Sequence, residues 1–212
     1  MNTHAIDHLL KQRQDLWRGR GGPSGPVLAT GHPGLDARLP GGGWPGGRLT
    51  ELLPSHLGAG EFELLLPALA RLTREGRPVV LIAPPMVPCP QAMAQRQLDL
   101  ARLVVIRSRQ QRNWAAEQCL KSGLCGAVVV WQQQALNRAS TQALRRLQLA
   151  AESSRGAAFL IYHPGQRPPP SIATLRLAVA PGPRIRLLRA PGRDGDERWF
   201  GPAADNVVAL HG

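Results

Sequence analysis

The chain has 212 residues, 43% of them apolar, enough to bury one sizeable core and too few for several domains of ordinary size. It carries 26 Lys and Arg against 14 Asp and Glu, net +12, and the surplus is uneven: residues 1–100 hold ten basic and eight acidic side chains, residues 101–212 sixteen and six. No apolar run approaches the length of a membrane span. Three cysteines, Cys89, Cys119 and Cys125, without a CxxC or a paired ligand spacing exclude a zinc ribbon and a disulfide framework. Their odd number, in a chain read as having no signal peptide, points to reduced thiols and a cytoplasmic protein.

Of the 26 basic residues only Lys11 and Lys121 are lysine. Arginine suits phosphate because its planar fork donates two hydrogen bonds at once. A GC-rich genome, which favours Arg, Ala, Gly and Pro codons together, accounts for the same bias, and both explanations stand at this point.

Residues 3–18 place Ile6, Leu9, Leu10, Leu16 and Trp17 on one helical face. RGRGGPSGP then reads as a linker. Residues 1–22 are therefore an N-terminal helix and linker, 23–190 the domain, and 191–212 a C-terminal tail. Such a helix either docks in a partner's groove or folds back over its own core.

The glycines of the 28–47 stretch permit positive φ and close chain passage, and Asp36 is placed to cap the short helix after it. A strand at Leu49–Leu53 runs into a loop, Pro54 to Glu61. Residues 61–75 form a helix with Phe62, Leu65, Leu66, Leu69 and Leu72 toward the sheet. Pro67 costs about 3 kcal/mol inside a helix unless it lies in the first turn, so this helix begins late or bends. Gly76 is a C-cap.

Pro78–Ala83, Leu103–Arg107, Gly126–Trp131 and Ala157–Tyr162 are short continuous apolar runs, the pattern of buried parallel strands. Between them the sequence predicts helices over 90–100, 112–122 and 140–153. The last carries Arg145 and Arg146 on one side and Leu144, Leu147 and Leu149 on the other. Arg107, Arg109 and Arg112 follow a strand's C-terminal end, the edge where open α/β sheets bind ligands.

Thr174–Val179 and Arg184–Arg189 alternate and are joined by APGP, so they form a β-hairpin. Arg184 and Arg186 share one face, with Ile185 and Leu187 on the other, and Arg176, Arg189 and Arg193 extend the basic surface. This set, with Arg107, Arg109, Arg112, Arg145 and Arg146, forms the candidate DNA-binding group, against the plainer reading of a solvated face. Trp199 and Phe200, among Gly, Pro and acidic residues, are either an exposed partner anchor, joining Ile6, Leu9, Leu10, Leu16 and Trp17, or pack on the parent domain. His32, His56 and His163 have no second ligand at a metal spacing, so no metal site is expected.

Thr30, Gly31, Leu35, Asp36, Leu39, Gly42, Gly43, Pro45, Gly47 and Arg48 together resemble the start of a RecA-type ATPase core. A working phosphate loop needs Gly backbone N–H groups, a Lys for the outer phosphates and a Ser or Thr for magnesium. In the loop Pro54, Ser55, His56, Gly58, Gly60, Glu61, the resemblance puts Gly60 where the Lys belongs and Glu61 where the hydroxyl belongs. Pro84 and Pro85 stand where the water-orienting glutamate would be, Trp131 replaces the Walker B aspartate, and His163 occupies the position of a polar sensor residue.

The segments GLDARLPGGGWPGGRLTELL, LLLPALARL, APPMVP and WAAEQCLKSGLCGAVVVW, with all three reacting groups absent, look like the ImuA family of RecA-like, SulA-related proteins. The resemblance covers roughly residues 5–190. It implies an α/β fold with a RecA-like, mostly parallel sheet flanked by helices, an N-terminal amphipathic helix and a C-terminal β-hairpin. It implies a non-catalytic accessory protein of SOS-induced translesion synthesis, with no cofactor. Its partners would be an ImuB-like polymerase-family protein, through it an error-prone DnaE-type polymerase, and also RecA and DNA. A SulA-like inhibitor of a tubulin-like cell-division GTPase and a DNA-dependent ATPase are the alternatives.

Overall fold

Three runs of small and branched apolar residues, 79–82, 127–132 and 157–162, decide the architecture, because each is buried on both faces and can only lie inside a sheet covered by helices. The run at 103–106, expected to be buried, is instead the exposed edge strand, with Val104 and Val105 facing out. The structure is a computed structural model describing residues 26–132, 138–165, 172–182, 184–191, 193–195 and 198–201. The helix expected over 3–18 lies outside the described residues.

A two-stranded antiparallel ribbon, β1 (Val27–Leu28) with β2 (Trp44–Pro45), brackets the short helix α1 (Pro33–Asp36). The main sheet follows, from β3 (Leu49–Pro54), β4 (Val79–Ile82), β5 (Leu103–Ile106), β6 (Ala127–Gln132), β7 (Ala157–Tyr162), β8 (Leu175–Ala180), β9 (Arg184–Ala190) and β10 (Arg193–Asp194). The strand order is β10-β9-β8-β3-β7-β6-β4-β5, with every pair from β8 to β5 parallel and the β8–β9 and β9–β10 pairs antiparallel. The fold is thus mixed α/β with a mostly parallel central sheet. The expected hairpin exists as β8 and β9, but it is part of the sheet, because β8 pairs in parallel with β3.

One face of the sheet, with Leu52, Leu81, Val129, Phe159 and Leu177, packs under α2 (Leu66–Arg74) and the 28–45 segment, where Trp44 meets Phe159 edge-on at 5.4 Å. The other face, with Leu49, Val80, Val128 and Leu160, lies under α4 (Arg112–Lys121) and α5 (Arg138–Ser153). The short helix α3 (Pro90–Gln95) sits outside and touches the first core through Met93.

Several local expectations are corrected. Asp36 does not cap a following helix; it closes α1, and its Oδ1 accepts the Thr30 N–H at 2.9 Å. The helix after the loop spans Leu66–Arg74 and not 61–75; it begins late, as Pro67 led one to expect, with the proline in its first turn where no intrahelical N–H is lost. Gly31, at φ 84°, passes so close to Pro67 that a Cβ there would clash with the ring. The helix expected over 90–100 ends at Gln95, since Gln97 adopts φ 64° and the Asp99 N–H is drawn to Thr73 Oγ1 at 3.0 Å. Leu149 is exposed; α5 buries Leu144, Leu147, Ala150 and Ala151 instead. The ends at Gly76 (φ 76°) and Gly123 (φ 68°) are as expected.

Among the described residues no helix is long and apolar enough to cross a membrane.

Candidate functional site

The loop at the C-terminal end of β3 is the first place to look, since that edge is where open parallel sheets hold ligands. Its backbone is turned to internal use. The Ser55 N–H donates to Val179 O at 2.8 Å, the Ala59 N–H to His56 O at 3.3 Å, and the Leu64 N–H to Gly60 O at 2.9 Å. Gly58 and Gly60 take positive φ, 75° and 99°. Pro54 is buried, while His56 is exposed with its ring Nδ1 at 3.1 Å from Leu57 O. A phosphate cradle needs free N–H groups at a helix N-terminus, but α2 begins five residues beyond Glu61 and spends its first turn on Pro67.

Buried side chains lie at this edge of the sheet. Trp131, at the end of β6 and 7% exposed, packs on Phe62 with ring centroids 5.5 Å apart. Glu61 is buried beside them, and its Oε2 has no hydrogen-bond partner. Ala83 takes φ 52° at the end of β4, and half-buried Pro85 follows, with no group to orient a water. The next residue of β6, Gln132, is fully buried. It accepts from Arg112 Nε at 3.0 Å and donates to Asn113 Oδ1 at 2.7 Å, so it pins the start of α4 to the sheet. His163 is exposed, its N–H bonded to Gln132 O at 2.9 Å. The site residues named from the sequence thus gather at one sheet edge, at the C-terminal ends of β3, β4 and β6.

The basic residues do not form one patch. Arg107 and Arg109 are exposed beyond β5, at the opposite end of the sheet from β9. Six strand spacings separate the two, roughly 29 Å. Arg112 is tied to Gln132 and to the Arg109 carbonyl, and burial pushes its guanidinium below the usual range. Arg146 pairs with Glu117 at 3.2 Å, which also holds Lys121 at 2.7 Å; Arg145 is exposed on α5. Arg193 lies in β10 opposite Ala190.

Arg176 is a correction to the DNA-binding set. Its side chain is 14% exposed and forms an ion pair at 2.8 Å with Glu51, which is fully buried. The Tyr162 hydroxyl donates to the other Glu51 oxygen at 2.9 Å. β3, β7 and β8 are adjacent, so the three residues meet across the middle of the sheet. Burial pushes the Tyr162 hydroxyl up, and the Glu51 charge pushes it further. Sequence reading missed this network; its available signal was an acid inside the buried run LTELLP, which demands a partner.

Arg184, Arg186 and Arg189 share the β9 face that carries Ala178 and Ala180 on β8. Arg184 and Arg189 are exposed and Arg186 half-buried, while Ile185 and Leu187 point into the core, as alternation requires. The tail comes back to this strand. Phe200 bridges Ile185 with two backbone hydrogen bonds, 2.7 and 2.9 Å, and its ring is buried with Ile185 and Leu187 under the Arg38 guanidinium at 4.6 Å. Phe200 is therefore core and not a partner anchor. Trp199, one residue earlier, faces the other way: it is 39% exposed, with Arg186 Cζ at 5.1 Å and Arg184 Cζ at 5.8 Å from its ring centroid. Ile6, Leu9, Leu10, Leu16 and Trp17 lie outside the described residues.

A pair of thiols was also not anticipated. The Cys119 thiol in the last turn of α4 lies within reach of the Cys125 thiol in the loop before β6, and both are half-buried. That neighbour, aided by Ser122 and opposed by burial, lowers Cys125 to about 7 while Cys119 is pushed up. Among the described residues no group of three or more His, Cys, Asp or Glu could hold a metal ion. No protein-family model matches the chain, and no curated protein matches it.

Proposed function

We propose that the chain is a non-catalytic, RecA-like accessory protein of SOS-induced translesion DNA synthesis, acting in the cytoplasm as an adaptor to an ImuB-like polymerase-family protein. Through that partner it serves an error-prone DnaE-type polymerase, and it also contacts RecA and DNA. The reading begins from the resemblance of the Gly34–Leu53 and Trp114–Trp131 segments to ImuA. The observation that supports it further is the Phe62–Trp131 ring pair at the C-terminal end of the parallel strands, with Glu61 buried next to Phe62 in the chain, where this reading would otherwise expect a nucleotide. A frame of parallel strands without a phosphate-binding turn suits binding to macromolecules.

The test has two arms on the full chain. Calorimetric titration with Mg-ATP should give no heat of binding, and co-purification with the ImuB-like protein of the same genome should give a stable complex. Nucleotide turnover stimulated by DNA would overturn the non-catalytic reading. A complex with the cell-division GTPase and none with the ImuB-like protein would replace the adaptor by an inhibitor.

A further inference from the structure

Two guanidiniums lie within 6 Å of one indole, those of Arg184 and Arg186 on Trp199. Among the described residues neither makes a salt bridge, and the buried Arg186 Nε has no hydrogen-bond partner. Each ring contact compensates a cation only in part, about 0.5–1 kcal/mol at an exposed site, and among the described residues no acid pairs with either of the two like charges. Trp199 is nevertheless held in place. The Phe200 bridge to Ile185 fixes the backbone one residue away, and strand alternation sends Phe200 into the core and Trp199 onto the arginine face. The result is a fixed, half-exposed aromatic plane flanked by two cations, with exposed Arg189 farther along the same strand face.

An acidic protein segment would satisfy the charges but has no use for the exposed indole. Duplex nucleic acid presents phosphate but hides its bases' faces. A single strand offers both, a phosphodiester for the guanidinium forks and an unstacked base for the ring. We propose that Trp199, Arg184 and Arg186 form a binding site for single-stranded nucleic acid, with Trp199 the stacking platform and the two arginines the phosphate contacts. This rests on the nucleic-acid contact in the reading above. The two fail separately, because co-purification tests the adaptor and strand binding tests the site.

The experiment is fluorescence anisotropy of the full chain with a labelled dT 20-mer and with a 20-base-pair duplex, each over a salt series. Wild type is expected to prefer the single strand. Trp199→Ala should weaken dT binding roughly tenfold, as loss of one stacked base does, leave the duplex within about twofold, and Trp199→Phe should retain most of the affinity. Arg184→Ala with Arg186→Ala should lower the slope of log affinity against log salt by about 1.4, two phosphates at roughly 0.7 each, whereas the double Lys variant should keep it. Trp199→Leu, which covers the arginines without a ring, guards against a misfolded alanine variant; its unfolding midpoint should match wild type. The proposal is overturned if wild type shows no binding or no single-strand preference, or if folded Trp199→Leu binds dT as wild type does. It is also overturned if an acidic polyglutamate peptide displaces dT at equal charge concentration, which would assign the face to a protein partner.

Discussion

Arg176 on β8 faces Glu51 on its parallel neighbour β3, with 2.8 Å between guanidinium Nε and carboxylate at a point where Glu51 is wholly out of water. A buried ion pair adds little over well-packed apolar residues, yet removing one member strands the other charge and costs about 3–5 kcal/mol. Arg176→Ala should therefore lower unfolding free energy by about that much in urea titration. Arg176→Met combined with Glu51→Leu should recover most of the loss. Equal loss in the single and double variants would show that packing of the arginine stem, and not the stranded carboxylate, carries the effect.

Tyr162 gives this network a spectroscopic handle, since it is the single tyrosine of the chain. Its folded-state value is raised by burial first and by Glu51 second. The sign follows: a group raised on folding contributes stability that is complete below the unfolded value, about 10, and is lost as pH climbs above it. Absorbance at 295 nm should show no tyrosinate step near pH 10 in the native protein and a step coincident with alkaline unfolding. Tyr162→Phe should cost about 1–3 kcal/mol, because Glu51 loses a buried donor. A native tyrosinate step near pH 10 would mean the hydroxyl is not held by Glu51.

Much of the fold could be read along the chain because it rests on local patterns. Buried parallel strands appear as unbroken apolar runs, so β4, β6 and β7 lie within one residue of where PVVLIA, GAVVVW and AAFLIY put them. Elements closed by distant contacts could not be read so well. The helix from Pro90 stops early because Thr73 takes the Asp99 N–H, a contact between residues 26 positions apart. The candidate site divides the same way. The burial of Trp131 at the end of an apolar run and the β9 arginine face could be read from local pattern and simple alternation. That Arg176 is consumed by Glu51, that Phe200 turns inward, and that Trp199 turns onto Arg186 depend on β8 joining β3 and on the tail returning to β9, which no local pattern announces.

Trp131 should behave as core and not as a displaced catalytic position. It is 7% exposed and packed on Phe62, so Trp131→Ala should cost about 3–5 kcal/mol without creating Mg-ATP binding. Trp131→Asp should cost more, because it sets a carboxylate near buried Glu61, whose Oε2 already lacks a partner. Gly60 supplies no cation for phosphate, and the helix that could aim N–H groups at one starts only at Leu66. Calorimetry with Mg-ATP and urea unfolding of both variants check this. Nucleotide binding by either one would mean that the ring alone blocks a site otherwise intact.

Cys125 should be the reactive thiol of the chain, for a reason that lies in its neighbour. The Cys119 thiol donates to it and stabilises its thiolate, which lowers Cys125 from 9.0 to about 7, while burial works in the opposite direction. Nucleophilicity toward an alkylating agent follows the thiolate fraction, so in a Cys89→Ser background iodoacetamide labelling should rise through a midpoint near pH 7. Mass spectrometry should place the label on Cys125, with Cys119, whose proton is held by the same bond, labelled far more slowly. Replacing Cys119 with Ala removes the donor and should move the midpoint up toward the ordinary cysteine range, whereas Ser122→Ala, which removes the smaller contribution, should move it less. A midpoint unchanged by Cys119→Ala would mean that the thiolate is stabilised by something other than the neighbouring thiol, and the pairing at the end of α4 would lose its chemical consequence.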